Sequence, residues 1–316
     1  MIDAEDRALL EKSIESVLAD VEPGDDVDAL LAEIDWLDLL ATEPADAIDI
    51  VFRALGRFDV RSSALDDVLC HGLGVDARAD LAVVLPSFGT WDPPASDVGL
   101  TGLVTSRGAR AKELLVVGGT TEAPTLATLP ITEVTCTPVT GVDPFSAYQR
   151  VHAETAPQGA ALPAERLDAA IALARRAIAT QIAGANRTML EMSQAHARER
   201  EQFGAPIAQF QVLRHKLSET LVAVESTEAC LVAARDEPNA RTAAMAKALA
   251  SRNARIVAKH CQQVLAGVGF TTEHAFHHFL KRVIALEGLF GSADAILLDV
   301  GRDLLARREA PTLIEL

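Results

Sequence analysis

Two segments in the last third of the chain place chemically capable residues at telling spacings. The first is Arg200-Glu201-Gln202-Phe203-Gly204-Ala205-Pro206-Ile207, followed by Phe210-Gln211. Here a helix is expected to end near Phe203, with Gly204 as its C-cap and Pro206 opening the next helix. An arginine at such a turn is either a solvated charge on a helical hairpin or a phosphate clamp working through charge-assisted hydrogen bonds. The second segment runs from Gln262 through Gln263, Ala266, Gly267 and Gly269 to Glu273, and its glycines interrupt a long helical pattern. They are either a structural turn or a place where a ligand's polar edge meets bare backbone amides. Thr271 or Thr272 can cap the helix that follows. His274, His277 and His278 fall close together at helical spacing, but capping or interface roles suit them better than metal ligation, and no metal is expected.

These segments need helices to position them, and the sequence supplies them. From Pro163 to Arg308 apolar stripes recur at three and four: Leu167, Ile171, Ala174, Ile178, Ile182; then Phe210, Leu213, Leu217, Leu221, Val224; then Met245, Leu249, Ile256, Val257, Cys261, Val264. The first part of the chain has the same period, as in Leu9, Leu10, Ile14, Val17 and Leu30, Leu31, Ile34, Leu37, Leu40. Between Asp80 and Val151 the texture changes to short β-branched runs (LAVVL, GLVTS, ELLVVGG, ITEVTCTPVTGV) bounded by Gly, Pro, Asp and Ser, which read as strands. The expected organisation is mostly α with a small middle β domain: an N-terminal helical domain over 1–79, a shortened β domain over 80–152 and a C-terminal helical bundle over 153–316.

Composition narrows the function classes. The 316 residues carry 29 Lys+Arg against 45 Asp+Glu, a formal charge of −16, which disfavours nucleic acid and anionic membranes as partners. Apolar residues make up 49% of the chain, ample for a buried core. The greasiest stretch, Leu167 to Ile182, is broken by Arg175 and Arg176, so no membrane span is expected. The acidic, amphipathic start lacks the features of a secretory signal, pointing to the cytoplasm. Cys70, Cys136, Cys230 and Cys261 have no CxxC spacing and are expected to be free thiols.

In this order the two segments resemble the acyl-CoA dehydrogenase family, whose bundle carries an RxxFG turn and a QxxGG(x)G turn. The resemblance spans the chain, is strongest from Arg187 to Glu273, and implies FAD shared at a subunit interface. By match to those motifs Arg200 would pair with the pyrophosphate, Phe203 would line the nucleotide, and Gln211, Gln263 and Gly267 would add polar and backbone contacts to the flavin of the neighbouring protomer. Ala266 replaces the first glycine of the pair, a mild departure.

The family's reaction takes the α proton of an acyl-CoA with a glutamate while the β hydrogen leaves as hydride to the flavin. Counted without gaps from Gly269, the segment that carries this base falls on Leu289-Phe290-Gly291-Ser292, so Phe290 stands at the base position. The family's other position, counted back from Phe203, is Ala174; neither side chain accepts a proton. Glu287, three residues early, is the alternative base. The family's own-subunit flavin loop is reduced to Leu85-Pro86-Ser87-Phe88-Gly89-Thr90. These losses resemble the short subunit of actinobacterial α2β2 acyl-CoA dehydrogenases, several of which act on CoA thioesters of steroid side chains. The resemblance implies a subunit that donates flavin contacts to a catalytic partner chain, is inactive alone, and passes electrons to an electron-transfer flavoprotein or similar acceptor. A homodimeric dehydrogenase using Glu287, or a scaffold of the same fold without flavin, are the alternatives.

Overall fold

The computed structural model describes residues 3–308. Five helices come first: α1 (Ala4–Leu18), α2 (Asp28–Glu33), α3 (Trp36–Thr42), α4 (Pro44–Phe58) and α5 (Ala64–Leu73). Their limits follow local chemistry. The Asp3 carboxylate accepts the free amides of Glu5 and Asp6 at the start of α1, Pro44 opens α4, and Gly74 closes α5 with φ +75°. Not every residue of the expected stripes turns inward: Ile14, Leu31 and Leu40 are buried, whereas Leu9, Val17 and Leu37 are exposed.

An eight-stranded sheet follows, built from β1 (Leu81–Val83), β2 (Ala95–Ser96), β3 (Gly99–Val104), β4 (Glu113–Gly119), β5 (Pro124–Pro130), β6 (Thr135–Pro138), β7 (Gln149–Ala153) and β8 (Ala160–Ala161). The sheet therefore passes the expected boundary at 152, because β8 pairs with β5 through Thr125 and Leu126. Period-two alternation sorts its residues: Leu81, Val83, Leu85, Leu103, Leu115 and Val117 face the main core, while Ala82, Val84, Leu100, Val104, Leu114 and Val116 form a second, smaller one. β1 pairs with β4 and, through Leu85, touches β3; β2 pairs with both as well. The two strands thus share one slot in the sheet, and residues 86–94 leave that slot as a loop.

The bundle comprises α6 (Ala164–Glu199), α7 (Gln211–Asp236), α8 (Ala240–Leu265), α9 (Phe276–Gly288) and α10 (Ala293–Arg307). At 1.5 Å per residue α6 is about 54 Å long, and it is the spine of the molecule. It crosses α4 at backbone distance: a Cβ on Gly184 would lie 2.2 Å from the Arg53 carbonyl oxygen, and one on Gly56 would lie 1.9 Å from that of Gln181. Glycine is obligatory at both positions. The main core consequently runs unbroken from the N-terminal helices through one sheet face into the bundle. The apolar stripes of α7 and α8 are less buried than expected. Phe210, Leu221, Met245 and Ile256 are exposed; Val257 and Cys261 are buried as expected, and Ala246, Ala250 and Ala254 complete the seam of α8.

Buried ion pairs join the parts. Arg107, from the turn after β3, donates to Asp67 at 2.6 Å and to the Ser63 hydroxyl at 2.9 Å; Asp66 accepts from Thr105 and from the Val83 amide. Arg282 of α9 donates to Asp143 at 2.8 Å and to the Val60 carbonyl at 3.0 Å. Among the described residues no helix is long and apolar enough to cross a membrane.

Candidate functional site

The two expected motifs converge on one end of the bundle, where Ala197 near the end of α6, Ile207 before α7 and Val264 at the end of α8 pack together. The Arg200 segment folds differently from the expected helical turn. α6 stops at Glu199, and Glu201–Gln202 (β9) pairs with Ala205–Pro206 (β10) in a small hairpin. Phe203 (φ +57°) and Gly204 (φ +81°) form its two-residue turn, the pattern whose twist matches paired strands. A phenylalanine in the left-handed region costs about 1–2 kcal/mol relative to an ordinary conformation. It leaves the ring at the hairpin tip 95% exposed, in edge contact with Phe210 at 6.1 Å.

The other elements of this end are equally bare. The Arg200 guanidinium takes no hydrogen-bond or ion-pair partner among the described residues, whereas its backbone is fixed by His196 and Ile207. Gln211 opens α7, whose first turn has no side-chain cap, and its amide touches only His215 at 3.4 Å. Gln263 lies exposed on the last turn of α8.

Beyond it Ala266 has φ +51° and ψ −132°, a conformation suited to glycine, so its departure from the motif strains the backbone rather than obstructing a ligand. Gly267 is the reverse case: a Cβ there would meet nothing within 4 Å, so the fold itself does not require its glycine. Gly269 is needed for packing, since a Cβ would lie 2.8 Å from that of Leu265. Phe270 next to it is 72% exposed. Neither threonine caps α9; the Phe276 amide donates to His274 Nδ1, and the Thr271 hydroxyl turns back to the Val268 carbonyl. The His277 and His278 rings lie 3.9 Å apart at a tilt of 44°, and no metal-binding cluster of three His, Cys, Asp or Glu occurs among the described residues.

An unpartnered guanidinium, an exposed aromatic face, two amide side chains, uncapped helix amides and a bare glycine suit a nucleotide diphosphate arriving from outside the chain. This donor set therefore fits the nucleotide portion of FAD.

The opposite end of the bundle carries the expected base positions. Phe290, 3% exposed and at φ +53°, turns its ring into an apolar slot with Leu69, Pro86, Trp91 and Ile171. The slot encloses about 20 Å³, room for a water molecule but not for a thioester or a flavin ring. Ala174 is fully buried in α6. The Glu287 carboxylate is paired with Arg255, through Nε at 3.2 Å and through a shorter Nη2 contact, and does not line the slot. Arg175 and Lys247 belong to no motif of the sequence, yet the fold brings both to this turn. Arg175 Nε donates to the Phe290 carbonyl and its guanidinium lies 4.7 Å from the Trp91 ring. Lys247 Nζ donates to the carbonyls of Glu287 (2.9 Å) and Gly291 (3.3 Å) and to Ser251. Burial lowers both, Arg175 to about 10 and Lys247 to about 7. The available signal was a charge inside an apolar seam, at Arg175 within Leu167–Ile182 and at Lys247 within α8.

Helical N-terminal part, one sheet and a helical bundle with these turns define the acyl-CoA dehydrogenase fold. Residues 165–305 match the family described as acyl-CoA dehydrogenase, C-terminal domain. The acyl-CoA dehydrogenase IpdE2 of Mycobacterium tuberculosis (strain ATCC 25618 / H37Rv) is 32% identical over 179 residues, 57% of this chain and 52% of that protein. FadE34, an acyl-CoA dehydrogenase of the same strain, is 35% identical over 131 residues, 38% of this chain. The match spans 18% of FadE34's length and about half of IpdE2's. Two solved structures superpose over nearly the whole chain. The Tcur3481-Tcur3483 steroid ACAD G363A variant has TM-score 0.82 at 21% identity, covering 96% of this chain and 98% of that one. The ChsE4-ChsE5 complex of M. tuberculosis has TM-score 0.80 at 21% identity, covering 98% and 99%. Another protein of this fold, a glutaryl-CoA dehydrogenase from Mycobacterium smegmatis, was solved in complex with FADH2 (TM-score 0.74, 15% identity, covering 98% and 97%).

Proposed function

We propose that this chain is the donating subunit of a heteromeric, flavin-dependent acyl-CoA dehydrogenase, completing an FAD site on a partner chain that carries the catalytic glutamate. The observation that carries this reading is the contrast within one bundle: donor groups without partners at one end, and Phe290 and Ala174 where a base would stand at the other. Bound between the chains, FAD supplies the two-electron acceptor for α,β-dehydrogenation of an acyl thioester. Arg200 holds the pyrophosphate by charge-assisted hydrogen bonds, helped by the uncapped amides of α7. Phe203 covers the nucleotide with its exposed ring, and the bare backbone at Gly267 admits its polar edge. Gln211 and Gln263 add side-chain amide contacts.

The α proton of the substrate goes to the partner's carboxylate, since Glu287 is occupied by Arg255. A CoA thioester of a steroid side chain is the proposed substrate class, supported by the likeness in fold to the Tcur3481-Tcur3483 steroid ACAD. An α2β2 assembly and an electron-transfer flavoprotein or similar acceptor complete the proposal, with the complex working in the cytoplasm.

The test is flavin absorbance and native mass of the chain purified alone and co-expressed with its catalytic partner. The expected result is a colourless single chain and a yellow mixed assembly with about one flavin per pair. A yellow homomer that bleaches with an acyl-CoA, and no longer does so as Glu287→Gln, overturns the proposal.

A further inference from the structure

The loop leaving the sheet at residues 86–94 and the turn between α9 and α10 are fastened together more firmly than a surface loop requires. Carbonyls along the turn are captured by donors from three other elements. Lys247 of α8 takes those of Glu287 and Gly291, the Gly89 amide takes that of Gly288 at 2.7 Å, and Arg175 of α6 takes that of Phe290 at 3.2 Å. Among the described residues neither buried cation forms an ion pair, and the carbonyls at the end of α9 join the more distant charges of Glu287, for Lys247, and of Asp299 and Asp168, for Arg175, in stabilising them.

Aromatic rings fill the remaining space. Trp91 lies against Arg175, and a Cβ on Gly291 would sit 2.6 Å from its ring. Phe88 meets Tyr148 edge-on at 6.0 Å, and a Cβ on Gly288 would sit 2.8 Å from the Phe88 ring. Gly291 has φ +100° and Phe290 φ +53°, a pair of left-handed residues that swings the phenylalanine back into the slot.

We infer that Trp91 and Phe290 are a seal, and Arg175 and Lys247 the positioning residues that hold it, which together bar this chain from taking a flavin or acyl thioester of its own. The seal decides which subunit of the assembly is loaded. It rests on the donating-subunit reading for that consequence, while the seal itself is a property of the single chain.

The test uses the full chain with Trp36→Phe, which leaves Trp91 as the sole tryptophan, since the sequence holds two. Titration with octanoyl-CoA, and separately with FAD, is expected to leave Trp91 emission unchanged. Adding Phe290→Ala opens the slot, and octanoyl-CoA then quenches Trp91 saturably. Saturable quenching in the parent chain, or a Phe290→Ala chain as unresponsive as the parent, overturns the inference.

Should Phe290→Ala not fold, Lys247→Met with hydrogen exchange replaces it. Exchange of the peptide carrying the Gly89 amide is expected to rise at least tenfold, although Lys247 does not touch that loop. An unchanged loop overturns the positioning role. The co-expressed complex separates the two readings: no flavin with a silent Trp91 sinks the donating-subunit proposal alone, whereas two flavins per pair with a quenched Trp91 sinks the seal.

Discussion

The two ends of the bundle are made from the same helices and treat polar groups in opposite ways. At the Arg200 end, a guanidinium, two amides and a glycine backbone remain open, and Phe203 and Phe270 stand in solvent. At the Phe290 end, carbonyls of the turn are claimed by buried donors and aromatic rings occupy the space between loop and turn. A chain that served only its own stability would bury the rings of the first end and would have no use for two buried cations at the second. The difference teaches that site placement here is a matter of which groups are left unmatched. An exposed donor set is open to a ligand, whereas the Phe290 end turns most of its donors inward onto backbone carbonyls and leaves only the Arg175 Nη2 buried without a hydrogen-bond partner.

The sharpest way to break the comparison is to exchange stability for binding at each end. Phe290→Ala removes a buried ring from the slot and is expected to destabilise the chain by about 3–5 kcal/mol. The flavin held through the Arg200 end of the assembled complex should not be lost. Chemical denaturation and flavin absorbance measured on the same variant check both halves, and a loss of flavin would mean that the two ends are coupled.

Lys247 gives the comparison a pH dependence. Its folded pKa is lowered to about 7 by burial, while the unfolded chain keeps the ordinary lysine value of 10.5. Between those values the unfolded state binds more protons, so unfolding free energy rises with pH by about 1.4 kcal/mol per unit. From pH 7 to 9 the gain is on the order of 2.5 kcal/mol, and it is fully lost below pH 7, where both states are protonated. Lys247→Met is expected to flatten this rise in denaturation curves recorded at pH 7, 8 and 9. An unchanged slope would assign the rise to another group.

At the open end the expectation reverses. Arg200→Ala removes a guanidinium without a partner, so stability should hold within about 0.5 kcal/mol. Flavin affinity of the co-expressed complex should fall about tenfold to a hundredfold, the range for a charge-assisted hydrogen bond of about 1.5–3 kcal/mol. Equilibrium dialysis of FAD against the variant complex reads the loss. Unchanged affinity would favour a scaffold of this fold without flavin.

How much of this was legible follows from what kind of pattern each feature is. The helix–sheet–helix order could be read because periodicities of 3.6 and 2 are local, and Arg200, Phe203 and Gly267 could be singled out only because their two segments match the turns of a known family. The hairpin at Phe203 was not legible, since left-handed geometry at a phenylalanine opposes its propensity and is imposed by pairing across the turn. The seal was invisible for another reason. Trp91, Arg175, Lys247 and Phe290 come from four separate elements, and only the fold makes a charge in one apolar seam the partner of a carbonyl in another turn. The burial of Ala246 and Ala250 in place of Met245 was also a tertiary choice, set by which face of α8 the rest of the core covers.

The smallest effect addresses whether the open end is itself strained. Ala266 occupies φ +51° and ψ −132°, where a Cβ crowds the backbone, while Gly267 beside it has no such need. Ala266→Gly should therefore stabilise the chain by about 1 kcal/mol, against the usual sense of such a change, because relief of the native strain exceeds the added freedom of the unfolded chain. Moving the methyl one residue along, as Gly267→Ala, adds no clash within the chain and should be nearly neutral for stability. In the complex it is expected to weaken FAD several-fold, because the methyl then stands where the nucleotide approaches. Thermal melts of the single chain and dialysis of the complex separate the two effects. If Gly267→Ala binds FAD as tightly as the parent, the contact at this turn comes from Gln263 and not from bare backbone.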